Sequence, residues 1–418
     1  MLSLSRFCGA LAMALMLGSI FSAPAFAQAA TAGQVVINEF RFRGAGGASD
    51  EFVELANITN SALDISGFTL HALTAAGAQN LRFTVPGALG SSTTVIPSRG
   101  RFLITGSAYS LAAVAASNGT LSTGIVDGSS IGLFAGTTPG AANRIDSAGF
   151  DTRDALFFEG TAITPSGAGT GGITVNGEYS FLRKLNSGTP QDTGDNNSDF
   201  VFVSTTGGTF STRVSILGAP GPENLASPVQ RNASIKATLI DPQVASTATP
   251  NRVRSASGTN PSNAAFGTLQ IRRKFTNNTG APITRLRFRI VDITTLNSPV
   301  VTTPPQADLR ALNATGNFLV STSGGNVTVE SLQLEAPSDA VTNGGGLNST
   351  LAAGTITSGT PIANGISINV NFTLGVQVNG NFRFFVNVEA VPGPPDGAPV
   401  AGATKAQATG KASANRNK

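Results

Sequence analysis

The chain of 418 residues holds one cysteine, one histidine and no tryptophan. A single cysteine has no internal disulfide partner. Together with a single histidine it cannot supply a cysteine-ligated zinc site or a three-histidine metal site. Charge is scarce as well: 12% of residues are charged and 40% hydrophobic, about half the usual charged share. Glycine (49) and proline (22) are plentiful and break regular structure about once in six residues. That excludes a coiled coil or a long helical bundle. The length suggests two or three domains of roughly 100–200 residues each.

The two ends differ from the rest. Residues 1–27 read as a secretory signal peptide, with Arg6 as the basic start, an apolar run from Phe7 to Phe21, and a small-residue cleavage site at Ala25-Phe26-Ala27. The apolar run is short for a membrane span. Cys8 lies at its start, which does not suit a lipoprotein, and cleavage would leave a cysteine-free chain. Arg6 is the only charged residue in this segment, so 26 basic residues face 23 acidic ones after it. Four of those bases, Lys405, Lys411, Arg416 and Lys418, fall in the last 18 residues, which contain no acid. The basic character therefore belongs to the tail. Residues 392–418, rich in Pro, Gly, Ala and Lys, read as a disordered basic tail. No other stretch has the apolar length of a transmembrane helix.

Between the ends, short β-branched or alternating runs recur with turn residues between them. They include Val35–Ile37, Phe52–Leu55, Leu81–Val85, Arg101–Ile104, Thr268–Ile271, Leu286–Ile290, Val327–Val329, Ile366–Val370 and Asn381–Val388. Strands of this length and spacing predict an all-β fold of sandwiches. Ala108–Ala116 has helix-forming composition and predicts one short surface helix. Gly218-Ala219-Pro220-Gly221-Pro222-Glu223-Asn224 cannot continue a strand or helix. It sets a Gly/Pro linker at 218–230 between a first domain, 33–217, and a second, 231–391. Asn277–Pro282 predicts a turn within the second domain. No fixed-period repeat is present.

Three segments of the first domain carry a family resemblance. One is Val36-Ile37-Asn38-Glu39-Phe40 with Asp50-Glu51-Phe52-Val53-Glu54-Leu55-Ala56-Asn57. The next is Leu63-Asp64-Ile65-Ser66-Gly67-Phe68-Thr69-Leu70, with Phe68 where the family pattern has Trp. The third is Tyr179-Ser180-Phe181-Leu182-Arg183-Lys184 followed by Asp192–Asn196, Asp199-Phe200 and Leu217–Gly221. In these the domain resembles a bacterial lamin tail domain. The resemblance implies an immunoglobulin-like sandwich that serves as an accessory module and is not itself catalytic. A filament role does not follow, because no heptad run is present. The second domain resembles a generic immunoglobulin-like or fibronectin-like bacterial surface module. The expected fold class is thus all-β, with two immunoglobulin-like β-sandwich domains in tandem.

Few residues offer chemistry. Asp192, Asp195, Asn197 and Asp199 have the oxygen-rich composition of a calcium site, though not the spacing of an EF-hand loop. A turn in which these side chains bond their own backbone is the competing reading. Glu39, Asp50, Glu51 and Glu54 form a second acidic group. Glu51 and Glu54 face opposite sides of a regular strand, and nothing places a glycosidase cleft between them. Glu39 and Glu54 read as structural partners on neighbouring strands. His71 lacks a G-x-S-x-G serine elbow to serve and reads as a strand-end residue. The clusters Gly44–Gly47, Gly167–Gly172 and Gly344–Gly346 lack the Lys-Ser/Thr ending of a phosphate loop, and Gly160–Gly172 reads as a mobile loop. Arg285, Arg287 and Arg289 share one strand face opposite Leu286, Phe288 and Ile290. They read either as an anion-binding stripe, for nucleic acid or acidic polysaccharide, or as a solvated face. With no Trp and only Tyr109 and Tyr179, stacking on sugars has little support.

The sequence therefore predicts a secreted, non-enzymatic binding or structural module of the extracellular space or cell envelope, with calcium as the conceivable cofactor. Its partner would be an unidentified protein or envelope polymer. The alternative is an accessory subunit of an extracellular hydrolase or nuclease.

Overall fold

A computed structural model describes residues 27–164, 172–297 and 306–393. The signal-peptide, tail and Gly167–Gly172 readings lie largely outside these residues. The described residues are all-β, 46% in strands and 1% in helix. No helix among the described residues is long and apolar enough to cross a membrane.

In the first half an eight-stranded sheet and a four-stranded sheet share one core. Val35–Arg41 lies centrally in the larger sheet, between Phe52–Asn57 and Tyr179–Arg183. The smaller sheet contains Phe68–Leu73, Ser130–Ala135 and Arg144–Gly149. Alternation explains the layering. Ile37, Val53, Leu55 and Phe181 come from one sheet and Leu70, Ile131, Leu133 and Ile145 from the other, and all join a single buried cluster. Phenylalanines fill its middle: Phe40 stacks on Phe181 at 5.5 Å and Phe181 on Phe202 at 5.0 Å.

The second half repeats the plan with a separate core. A five-stranded sheet holds Ile283–Ile293 and Phe384–Pro392, and a seven-stranded sheet holds Thr268–Asn277 and Ser367–Val378. Leu286, Phe288 and Ile290 point into the core against Phe372 and Leu374, as their alternation predicts.

The halves share a turn device that the sequence reading saw only in part. Asn57 ends a strand, and its Oδ1 accepts from the Thr59 amide at 2.9 Å and hydroxyl at 2.8 Å. Asn277 does the same with Thr279, at 3.0 and 2.7 Å. In each case the Asn amide donates four residues ahead, to Ser61 and Ala281.

Ala108–Ala116 is a run of turns and not a helix. Its one i→i+4 bond joins Ala115 to Leu111, and a single bonded turn does not sustain a helix. Instead Leu111 and Ala115 are buried against Phe52 and Leu103. The only α-helix among the described residues is Asn196–Asp199.

Residues 219–223 carry neither strand nor helix and are buried. They lie between the halves. Gly218 N–H donates to Ser204 in the first half, and Ala219 N–H to Leu347 in the second.

Candidate functional site

Where the two halves meet around this strap, a cleft of 310 Å³ gathers buried charge. The first half contributes Glu39 and Glu54, which sit directly opposite each other on paired strands, and Arg101. The strap contributes Glu223. The second half contributes Arg289 and Glu389 from the central pair Ile283–Ile293 and Phe384–Pro392, and Arg287, directly opposite Glu389, lies just behind the cleft.

Each carboxylate is held by protein donors. Glu39 accepts from the Ser180 hydroxyl at 2.5 Å, the Gly221 amide at 3.0 Å and Asn348 Nδ2 at 3.2 Å. Glu54 accepts from Asn38 at 2.7 Å and from the Glu223 amide at 2.7 Å. Glu389 takes Arg287 Nε at 2.6 Å on one oxygen and Arg289 Nε at 2.7 Å on the other. Glu223 Oε1 bridges the same two arginines, with Arg289 Nη2 at 3.2 Å and Arg287 in close contact. Arg289 also donates to Asn348 Oδ1 at 2.7 Å. Arg101 Nε lies 3.1 Å from Glu54. That is an ion-pair distance without hydrogen-bond alignment, and Arg101 Nε and Asn38 Oδ1 are buried without hydrogen-bond partners among the described residues.

Burial sets the protonation here. It pushes Glu54 up to about 8; Arg101 opposes the rise, while Glu223 and Glu39 add to it. Burial also raises Glu39, against hydrogen bonds from Ser180 and Gly221 and the charge of Arg289. Burial raises Glu389 too, but Arg289 and Arg287 outweigh it and hold the group below its usual value.

This geometry corrects the arginine stripe. Arg285 alone reaches solvent, with 45% of its side chain exposed, and it pairs with Glu335 at 2.8 Å. Arg287 and Arg289 are buried. Alternation gave their face correctly, but the strap and the first half cover that face, so the two guanidiniums are spent on Glu223 and Glu389.

The oxygen-rich segment is corrected likewise: its four candidates do not converge. Asp195 caps the short helix, accepting from the Ser198 amide at 2.8 Å and the Thr161 amide at 3.0 Å. Asn197 accepts from Thr164. Asp199 is buried, and both its oxygens accept, from Gln191, Thr193 and Arg183. Asp192 alone joins a carboxylate cluster, with Asp146 and Glu159. The buried Arg183 already supplies positive charge there, 2.7 Å from Asp146 and 3.5 Å from Asp192.

The other acids have local duties. Asp50 pairs with the buried Arg41 at 2.7 Å and accepts from the Ser110 and Gly46 amides. Burial raises its pKa, but these bonds and Arg41 win and hold it below the usual range. Glu51 is buried under Ile125, whose amide donates to it at 2.5 Å. His71 lies within Phe68–Leu73 rather than at a strand end. It is buried edge-on to Phe134 and 3.2 Å from the Thr69 hydroxyl, and burial lowers its pKa.

Sequence reasoning picked out Glu39 and Glu54. It missed Arg101, Glu223, Glu389 and Asn348 as their company, and Asp146 and Glu159 as company for Asp192. Arg183 was visible only as part of a strand motif. No protein-family model, curated protein or solved structure matches the chain.

Proposed function

We propose that the chain is a secreted, non-enzymatic binding or structural module of the extracellular space or envelope. Both halves are immunoglobulin-like sandwiches, and the first is akin to a bacterial lamin tail domain. The observation that carries this reading is the use made of the cleft. Its carboxylates, the obvious tools for acid–base chemistry, face donors from three parts of the chain and join the two halves. A glycosidase needs two carboxyls aimed at a substrate across a gap, whereas Glu39 and Glu54 sit side by side on paired strands and accept from protein groups.

The lamin-tail reading is supported by where its three segments fall. Val36–Phe40, Phe52–Asn57, Tyr179–Arg183 and Phe200 lie on neighbouring strands of one sheet. Asp64 and Ser66 build the turn before Phe68, with Asp64 accepting from the Ser66 amide at 2.8 Å. The motif residues thus make one structural unit.

The test is sedimentation of the purified protein with envelope fractions at low and high salt, beside a variant ending at residue 393. Turnover on glycan and nucleic acid is followed in the same samples. Retention without turnover is the expected result. Turnover that disappears in Glu54→Gln while the melting temperature holds would replace the module with an enzyme. Neither retention nor turnover would move weight to the accessory-subunit alternative, through a soluble partner.

A further inference from the structure

The second half is open along one side. Ile235–Leu239 ends the seven-stranded sheet, and its outer edge has no strand partner among the described residues. In the opposite sheet, Phe384–Pro392 is covered on its outer edge only by Val229–Gln230, which pair with Ala390 and Glu389. Between these two edges lies a groove of 750 Å³ that reaches the core, within the range of about 300–1,000 Å³ common for ligand sites. Its floor and walls are aromatic, with Phe372 and Phe384 in edge contact at 5.5 Å.

The charge in this groove is unexpected. On Thr268–Asn277 the inward side chains are Leu269, Ile271 and Phe275, and Arg273 shares their face. Arg252 is directly opposite Ile271 on the neighbouring strand, so it faces inward too, 6.0 Å from the Phe382 ring. Lys236 adds a third cation at the rim. No aspartate or glutamate lines the groove. No described carboxylate pairs with any of the three, whereas Arg287, Arg289 and Arg183 all sit on carboxylates. The nearby acids are engaged: Asp241 accepts from Ser323 and Gln243, and Asp292 pairs with Arg383 at 2.7 Å. Arg273 donates only to backbone carbonyls, of Asn251 and Arg272. Burial, and then the charge of Arg252, lower its pKa. An apolar trough with uncompensated positive charge complements a ligand with an apolar body and a negative head. The chain's own tail is a poor occupant, because residues 394–418 carry four cations and one acid.

We propose that this groove binds an amphipathic carboxylate, its apolar body lying along Phe275, Phe372, Phe382 and Phe384 and its carboxylate between Arg252 and Arg273. The site is separate from the cleft between the halves, and the proposal does not depend on the module reading.

Calorimetric titration of the whole purified protein with sodium dodecanoate, dodecanol and dodecyltrimethylammonium tests it. Dodecanoate should bind roughly tenfold or more tightly than either control. Arg252→Gln/Arg273→Gln should remove that margin, and Phe382→Ala should weaken all three ligands alike. Should the double variant melt early, Arg252→Gln alone, at a half-buried position, should still weaken dodecanoate roughly threefold or more. Equal binding of dodecanoate and dodecanol, no dodecanoate binding at millimolar concentration, or unchanged affinity in a folded arginine variant would each overturn the proposal.

Discussion

Replacing Glu51 with glutamine should flatten part of the pH dependence of stability. Glu51 is buried, with Oε1 accepting from the Ile125 amide and Oε2 without a partner. Burial raises its pKa to about 7; the Ile125 amide, Arg82 and Arg43 oppose the rise, and Asp127 adds to it. The folded state therefore holds a proton that the unfolded chain, with a value near 4.5, has already released. For a group raised on folding, the stabilisation is complete below the unfolded value and is lost as pH climbs through the folded one. A rise of this size corresponds to on the order of 3 kcal/mol lost between pH 4.5 and 8. Other groups titrate in the same range. Glu54 and Glu159 are each raised to about 8 and act in the same direction, while burial lowers His71, which acts against it; Asp50 and Glu335 are lowered and change stability only in more acidic solution. The informative quantity is therefore the difference between wild type and Glu51→Gln, measured by urea unfolding from pH 5 to pH 8.5. The variant, neutral throughout, should gain on wild type up to about pH 7 and then level off. A difference that stays constant with pH would refute the burial argument for this carboxyl.

Three further outcomes are expected. Arg183→Met should cost about 3–5 kcal/mol in urea unfolding, because Asp146 and Asp199 would stay buried without their cation; a cost near zero would mean that the cluster neutralises itself. Gly67→Ala should lower the melting temperature, because Gly67 has φ +72° and a Cβ there would lie 2.6 Å from the Leu89 amide nitrogen; an unchanged midpoint would show that the turn shifts freely. Calcium or EGTA should leave the melting midpoint where it is, since Arg183 occupies the acidic cluster, whereas a real site at a hundredfold excess over its Kd would add about 2.7 kcal/mol.

Local pattern made most of the fold legible. Leu286, Phe288 and Ile290 alternate with arginines, and the structure buries those three in a sheet-lined core. The same pattern could not say what covers the arginine face, because that depends on Glu223, 64 residues earlier, and Glu389, about 100 later. Asp192 through Asp199 looked like one site because the residues are adjacent in sequence. In the fold, Asp195 turns to a helix cap, Asp199 turns to Arg183, and Asp192 meets Asp146 from another sheet. Ala108–Ala116 has the composition of a helix, but its apolar residues serve a small core with Phe52, and tertiary packing overrides a weak propensity. That Arg273 would share the inward face of its strand with Ile271 and Phe275, donate only to backbone carbonyls and meet no carboxylate was not legible, because it depends on which distant segments close the groove.

The claim that the buried charges of the cleft clamp the two halves together is tested most directly by a double-mutant cycle on Glu223 and Arg289. Glu223→Ala, Arg289→Ala and the pair would be compared with wild type by urea unfolding. The account predicts a coupling energy of about 1.5 kcal/mol or more, because either single change strands its partner in a buried site. Additive costs, with coupling below about 0.5 kcal/mol, would contradict it and return these carboxylates to the list of groups free for chemistry.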